Sequence, residues 1–248
     1  MDVRTCIIIP CYNEAARLDF KTFNKFLSRN DAFDLCFVND GSSDNTSLLL
    51  QELSKDSYRI HFVNLEVNNG KAEAVRAGFL HVYSLNIYRY IAFADADLAT
   101  PLSEIVRLTT LLNTNEKLLL VFGSRMERLG MTIKRNNYRH FTGRLFATII
   151  NMLFKLKTHD TQCGAKVFDS TLIWVFKEKF ISSWLFDVEI LLRIKQKYGN
   201  LKYSQLISEE PLKIWIEQGD SKIRFKHLLK LPMQICRIYI QFKFQKGI

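Results

Sequence analysis

The stretch YIAFADADLATP, residues 90–101, runs an apolar segment straight into two acids, Asp95 and Asp97, one alanine apart. In an extended chain residues i and i+2 point to the same side, so the two carboxylates are expected to converge. Converging like charges repel unless they share a cation. Carboxylates are hard oxygen donors, and with a diphosphate supplying further oxygens the pair suits Mg2+ or Mn2+. The duller use is helix capping. Thr100 ahead of Pro101 is a sufficient start for the next helix, which leaves both acids unexplained.

Other polar clusters fall where apolar runs end. PCYNE (10–14), NDGSSDNT (39–46), NNGKAEAVRAG (68–78) and GSR (123–125) each follow such a run. Any one of them is weak: Asp40-Gly41 reads equally well as a turn and Asn45 as a cap. Five polar ends on one rim are harder to dismiss, because ligands of an open parallel sheet sit at the carboxyl ends of its strands.

The elements that must carry these ends alternate through the first half. Apolar runs at 6–9, 33–38, 60–63, 90–94 and 118–122 read as strands, and periodic segments at 14–28, 45–53, 71–83 and 101–112 read as helices. Strands with helices between them predict right-handed βαβ units and an α/β fold with a mostly parallel sheet and flanking helices. The strands are continuously apolar, as expected when both faces are covered.

After Gly123 the alternation stops. Residues 136–156 read as a long basic and aromatic helix, 160–168 as a loop returning to a short strand, and 184–199 as a helix closed by Gly199. Short strands are expected near 202–207 and 212–216. The tail from 223 to 244 mixes Phe225, Leu228, Leu231, Ile235, Ile238 and Phe242 with Lys and Arg, a basic amphipathic segment interrupted by Pro232. The reading is one domain over 1–222 and an amphipathic segment over 223–248.

Charge is unevenly placed within the net +10. Residues 1–124 carry 12 Lys and Arg against 15 Asp and Glu, while 125–248 carry 23 against 10. The basic residues are interleaved with Phe, Leu and Ile, which favours an anionic membrane surface or a phosphate site and matches no nucleic-acid motif. Five unpaired cysteines imply a reducing setting. The beginning of the chain lacks the pattern of a signal peptide, and no apolar run reaches the length of a membrane span. The five histidines show no metal-ligand spacing.

Taken together, IIIPCYNE, VNDGSSDNT, NNGKAEAVRAG, FADADLATP and GSR resemble the successive signatures of glycosyltransferase family 2, with its nucleotide-sugar-binding GT-A (Rossmann-like) fold. DTQCGAKVF, WLFDVEIL and EEPLKIWIEQGDSKI are similar to the dolichyl-phosphate β-glucosyltransferase branch, beside the dolichyl-phosphate mannose synthases. The resemblance runs from Cys6 to about Ile223 and departs at Asp220, where that branch has Gly-Ser-Lys without an intervening acid. Some relatives also carry membrane-spanning helices after the catalytic domain.

The resemblance implies a metal-dependent, inverting hexosyl transfer, with UDP-glucose as the favoured donor and a polyprenyl or dolichyl phosphate as acceptor. GDP-mannose as donor and a saccharide as acceptor are the alternatives. It implies that Pro10, Tyr12, Glu14 and Asp40 line the nucleotide pocket, with Lys71 close to the donor. Asp95 would lie on the nucleoside side and Asp97 on the metal. Arg125, Arg139, Gln162 and Lys222 would meet the acceptor, with Asp187 and Glu189 on the same side.

A lipid phosphate is already largely anionic, its second pKa lying near about 6, and needs positive charge more than a base. A sugar hydroxyl would need a base, for which Asp187 is the candidate; Asp187 and Glu189 read alternatively as dipole-favoured acids in a first helical turn. The tail is expected at the membrane interface, on the cytoplasmic face of the membrane.

Overall fold

The structure is a computed structural model of the 248-residue chain. It describes residues 3–126, 130–134, 148–218 and 225–244. Arg139, Lys222 and most of the predicted helix 136–156 lie outside the described residues.

Strands β1 (Thr5–Cys11), β2 (Phe33–Asp40), β3 (Ile60–Leu65) and β4 (Tyr90–Ala94) alternate with helices α1 (Phe20–Leu27), α2 (Thr46–Lys55) and α3 (Lys71–Ser84). Helix α4 (Leu102–Thr114) leads to β5 (Leu120–Ser124). There follow β6 (Thr132–Lys134), a helical segment α5 (148–154), β7 (Ala165–Asp169) and a 3-10 turn over Ser170–Phe176. Helix α6 (Phe186–Leu206), β8 (Ile207–Pro211), β9 (Ile214–Ile216) and α7 (Phe225–Phe244) complete the chain.

Seven strands form one sheet in the order β3-β2-β1-β4-β7-β5-β8. β7 runs antiparallel to both neighbours, and the remaining pairings are parallel. The chain builds outward from β1 to β3 and then crosses back to place β4 on the other side of β1. This reversal opens a crevice at the carboxyl ends of β1 and β4. A separate ribbon pairs β6 with β9, and the Ile216 N–H donates to the Ala99 carbonyl at 2.9 Å, tying the ribbon to the loop after Asp97.

Both faces of the sheet are covered. In β1, Cys6 and Ile8 enter one core with α3, α6 and the 3-10 turn, while Ile7 and Ile9 enter the other with α1, α2 and α4. That is the physical reason for the continuously apolar strands. Within the first core the Phe79 and Phe176 rings stack at 3.7 Å.

Several boundaries differ from the sequence expectation. Residues 14–17 form a turn, with the Arg17 N–H on the Glu14 carbonyl at 2.8 Å. The helix begins only at Phe20, where Asp19 accepts the Thr22 N–H at 3.1 Å and supplies the cap. Gly199 closes the first part of α6 as expected, at φ 75°. Residues up to Leu206 are nevertheless helical, and the strand placed at 202–207 lies at Ile207–Pro211. Helix α7 runs through Pro232 rather than stopping there.

The tail is also docked on the domain. Ile238 is fully buried, and Leu231, Ile235, Tyr239 and Phe242 pack on the same core. The Ser182 hydroxyl donates to Gln234 Oε1 at 2.8 Å.

Candidate functional site

The candidate residues among those described gather on one rim. Strand β1 ends in Pro10 and Cys11, followed by Tyr12, 41 % exposed, and a buried Glu14. Cross-links hold this end to the end of β2. The Asn13 N–H donates to Ser42 Oγ at 3.0 Å, the Ser43 N–H to Asn13 Oδ1 at 2.9 Å, and the Glu14 N–H to Thr46 Oγ1 at 2.8 Å. The Glu14 carboxylate meets Arg17 Nε at 3.0 Å.

Asp40, at the end of β2, is 3 % exposed. Its two oxygens accept the N–H groups of Asn69 and Gly70, each at 2.9 Å. Burial raises its pKa, and those two amides pull against the rise. Gly41 is required beside it: at φ +61° an added Cβ would lie 2.4 Å from the Asn68 nitrogen. Asp40 thus fixes the loop that delivers Lys71 to the first turn of α3.

Lys71 reaches across the crevice to Asp95, with Nζ 2.5 Å from Oδ1. Burial works against the charged Lys71 ammonium, but the Asp95 and Asp187 carboxylates outweigh it and raise its pKa. The acids do not continue an extended strand. β4 stops at Ala94, the Leu98 N–H returns to the Asp95 carbonyl at 3.2 Å, and Asp95-Ala96-Asp97 form a turn. The i, i+2 argument therefore does not apply here; within the turn the Asp95 charge still acts on Asp97.

Asp97 Oδ1 accepts the Ala99 N–H at 3.0 Å. Its pKa is raised by burial first and by the neighbouring Asp95 charge second. Thr100 does not cap α4, whose first turn has no side-chain cap.

A hard divalent cation fits this donor set. Burial and like-charge repulsion both disfavour ionised Asp97, and a cation on the pair would relieve both. Among the described residues no group of three or more His, Cys, Asp and Glu converges, so the remaining ligands would be donor or water oxygens.

The loop before β7 supplies the facing wall. A Cβ on Gly164 would lie 1.9 Å from Asp95 Oδ2. Arg125, at the end of β5, is fastened to Asp160 by Nε–Oδ2 at 2.6 Å and Nη2–Oδ1 at 2.8 Å. Its guanidinium lies over Trp215 at 5.6 Å. Burial opposes both charges, yet each partner overcomes it in the other. Arg125 is held above its ordinary pKa, and Asp160 is held down to about 2. Gln162 Nε2 donates to the Trp184 carbonyl at 3.1 Å, joining this loop to the start of α6.

Asp187, in the first turn of α6, is 5 % exposed. Its partner is one that sequence reasoning missed, Lys166 of β7, with Nζ 2.7 Å from Asp187 Oδ1. Burial raises the Asp187 pKa, and Lys166 and then Lys71 oppose that rise. Glu189 is structural: its oxygens accept the Ile181 and Ser182 N–H groups at 2.9 and 2.8 Å, fixing the loop ahead of α6. Cys163 is buried, and burial pushes its thiol up to about 12, which leaves it inert.

The sequence profile of glycosyl transferase family 2 matches residues 6–181, well over half of the chain. The chain is a family 2 glycosyltransferase. Its similarity to characterised members extends beyond that segment. A dolichyl-phosphate β-glucosyltransferase of Trichomonas vaginalis is 30% identical over 98% of this chain and 72% of its own length. The Dictyostelium discoideum enzyme of the same name is 31% identical over 98% and 75%. The Saccharomyces cerevisiae one is 31% identical over 75% of this chain and 61% of its own length.

Among solved structures, glucosyl-3-phosphoglycerate synthase of Mycobacterium tuberculosis with Mn2+, UDP-glucose and phosphoglyceric acid superposes on this glycosyltransferase with a TM-score of 0.69. It covers 97% of this chain and 79% of the synthase at 16% identity, a likeness of fold. The family 2 chain thus has the expected GT-A architecture, with Asp95 and Asp97 at its topological switch.

Proposed function

We propose that this glycosyltransferase moves glucose from UDP-glucose to the phosphate of a dolichyl or related polyprenyl lipid, with inversion at the anomeric carbon. The names of the relatives support glucose as the sugar and dolichyl phosphate as the acceptor. The observation that carries the choice of acceptor is the Lys166–Asp187 ion pair. A sugar hydroxyl must lose a proton to a base as it attacks. Were Asp187 to take that proton, a fully buried ammonium would be left without its counter-charge, a costly state. A phosphate oxygen attacks as an anion and asks nothing of Asp187.

In this reading Asp97 and Asp95 hold Mg2+ or Mn2+, which when bound supplies Lewis-acid stabilisation to the departing nucleoside diphosphate. Pro10, Tyr12, Glu14 and Asp40 border the nucleoside, and Lys71 fixes Asp95 from the opposite wall. Arg125, Arg139, Gln162 and Lys222 serve the acceptor, and Arg125 is presented rigidly because Asp160 grips it from behind.

The lipid is met at a membrane surface on its cytoplasmic face. No helix among the described residues is long and apolar enough to cross a membrane. Met152, 75 % exposed, Ile149 and Leu153 on α5 and Ile240 on α7 are exposed apolar side chains on two helices that meet, with the Phe154 and Tyr239 ring centroids 6.1 Å apart. Lys155, Lys157, Arg237 and Lys243 accompany these apolar side chains, the composition of an interfacial surface.

The test is purified protein with dolichyl phosphate in vesicles, Mn2+ or Mg2+, and a panel of nucleotide sugars, reading nucleoside diphosphate release and glycolipid. UDP-glucose should turn over, and Asp97→Asn should abolish turnover. Preference for GDP-mannose would replace the donor. Transfer to saccharides with none to the lipid phosphate would overturn the acceptor.

A further inference from the structure

Lys166 is 0 % exposed and sits in the middle of the sheet. Its neighbours in register are Phe93 on β4 and Phe122 on β5, whose ring centroids are 5.3 and 5.7 Å from the ammonium. The polar contacts of the ammonium are Asp187 Oδ1 and the Cys163 carbonyl, both at 2.7 Å. Buried ion pairs are seldom more stable than well-packed apolar side chains of the same volume, so stability alone does not account for a lysine here. What the ammonium touches does.

The charges alternate in sign from Lys166 to Asp187, Lys71 and Asp95. Asp187 and Asp95 both act on the Lys71 ammonium, and Lys71 is bonded to Asp95. The two acids are therefore rivals for one cation. A second cation behind Asp187 settles the contest.

We propose that Lys166 is a positioning residue for the donor site. It engages Asp187 so that Lys71 stays with Asp95. Asp187 is then a relay in this array. The assignment rests on the proposed donor reading only for its activity assay.

The experiment compares wild type with Lys166→Met, Asp187→Asn and the double variant. It measures KM for UDP-glucose, kcat, and calorimetric binding of UDP with Mn2+. Lys166→Met should raise the donor KM and weaken UDP binding by about tenfold or more, the usual scale for supports of a ligand-binding shell, with a smaller effect on kcat. In the double variant the rival carboxylate is gone. Its donor KM and UDP affinity should match those of Asp187→Asn alone within about threefold, a non-additivity that marks direct coupling.

A lysine that only fills the core would multiply its loss onto that of Asp187→Asn, and that result overturns the assignment. Should Lys166→Met fail to fold, the comparison of the double variant with Asp187→Asn decides alone, by the same two outcomes. A wild type that binds UDP yet turns over no UDP-glucose sinks the proposed function and leaves the binding comparison intact.

Discussion

At Gly164 the missing side chain decides where Asp95 can sit. A methyl group there would overlap the carboxylate at 1.9 Å, and Asp95 would have to leave the crevice or Lys71. Gly164→Ala should keep the fold and raise the KM for the nucleotide-sugar donor by about tenfold or more, read by steady-state kinetics beside a circular dichroism melt. The Arg125–Asp160 pair makes a second residue-level prediction. Asp160 falls from an ordinary 3.8 to about 2 on folding. A depressed carboxylate stabilises the fold above its unfolded pKa and loses that contribution as pH drops through the folded one. The stability difference between wild type and Asp160→Asn should therefore shrink by about 2 kcal/mol between about pH 5 and about pH 2, measured by urea unfolding. Neither partnership was legible. Asp95, Asp97 and Arg125 announce themselves by standing at strand ends, and spacing finds such residues. The partners that tune them, Asp160 for Arg125 and Lys166 for Asp187, are 35 and 21 positions away in sequence, and no local pattern joins them. Only the sheet order, with β7 between β4 and β5, explains why the lysine of AKVF is fully buried.

At the scale of elements, the first half was readable because each unit is local. The apolar runs of β1 to β5 and the periodic faces of α2 to α4 lie where the pattern puts them, and Gly199 breaks α6 at the expected point. The second half resisted because its elements take their places from distant partners. β9 falls inside the run expected at 212–216, but its partner β6, three residues long and some 80 positions away, is too short to show a period. Helix α7 illustrates the same limit. Its basic and apolar mixture describes a helix on a membrane as well as one on a domain, and only the contacts separate them: Ile238 is fully buried, and Gln234 takes the Ser182 hydroxyl. Ile238→Ala should cost roughly 2–4 kcal/mol of unfolding free energy, measured by urea titration of the detergent-free protein. A cost near zero would mean that α7 does not stay docked in solution.

For the whole molecule, the antiparallel β7 has a consequence in time as well as space. It separates β4 from β5, which do not pair with each other. Phe93 on β4 meets Lys166 on β7 across 73 positions, whereas Ile7 and Leu35 of β1 and β2 are 28 apart. Closing the longer loop is entropically slower, and contacts of large sequence separation form late. A chain still being synthesised can therefore build β1 to β4, with Asp95 and Asp97 at their ends, before β7 exists to wall the crevice. Pulse-labelled hydrogen exchange during refolding should find β1 and β2 protected before β7, and simultaneous protection would count against this order. Until β7 and the loop ahead of it arrive, Asp95 has no Gly164 against it. The rim that carries Asp95 and Asp97 is thus assembled first, and β7 walls the crevice only afterwards.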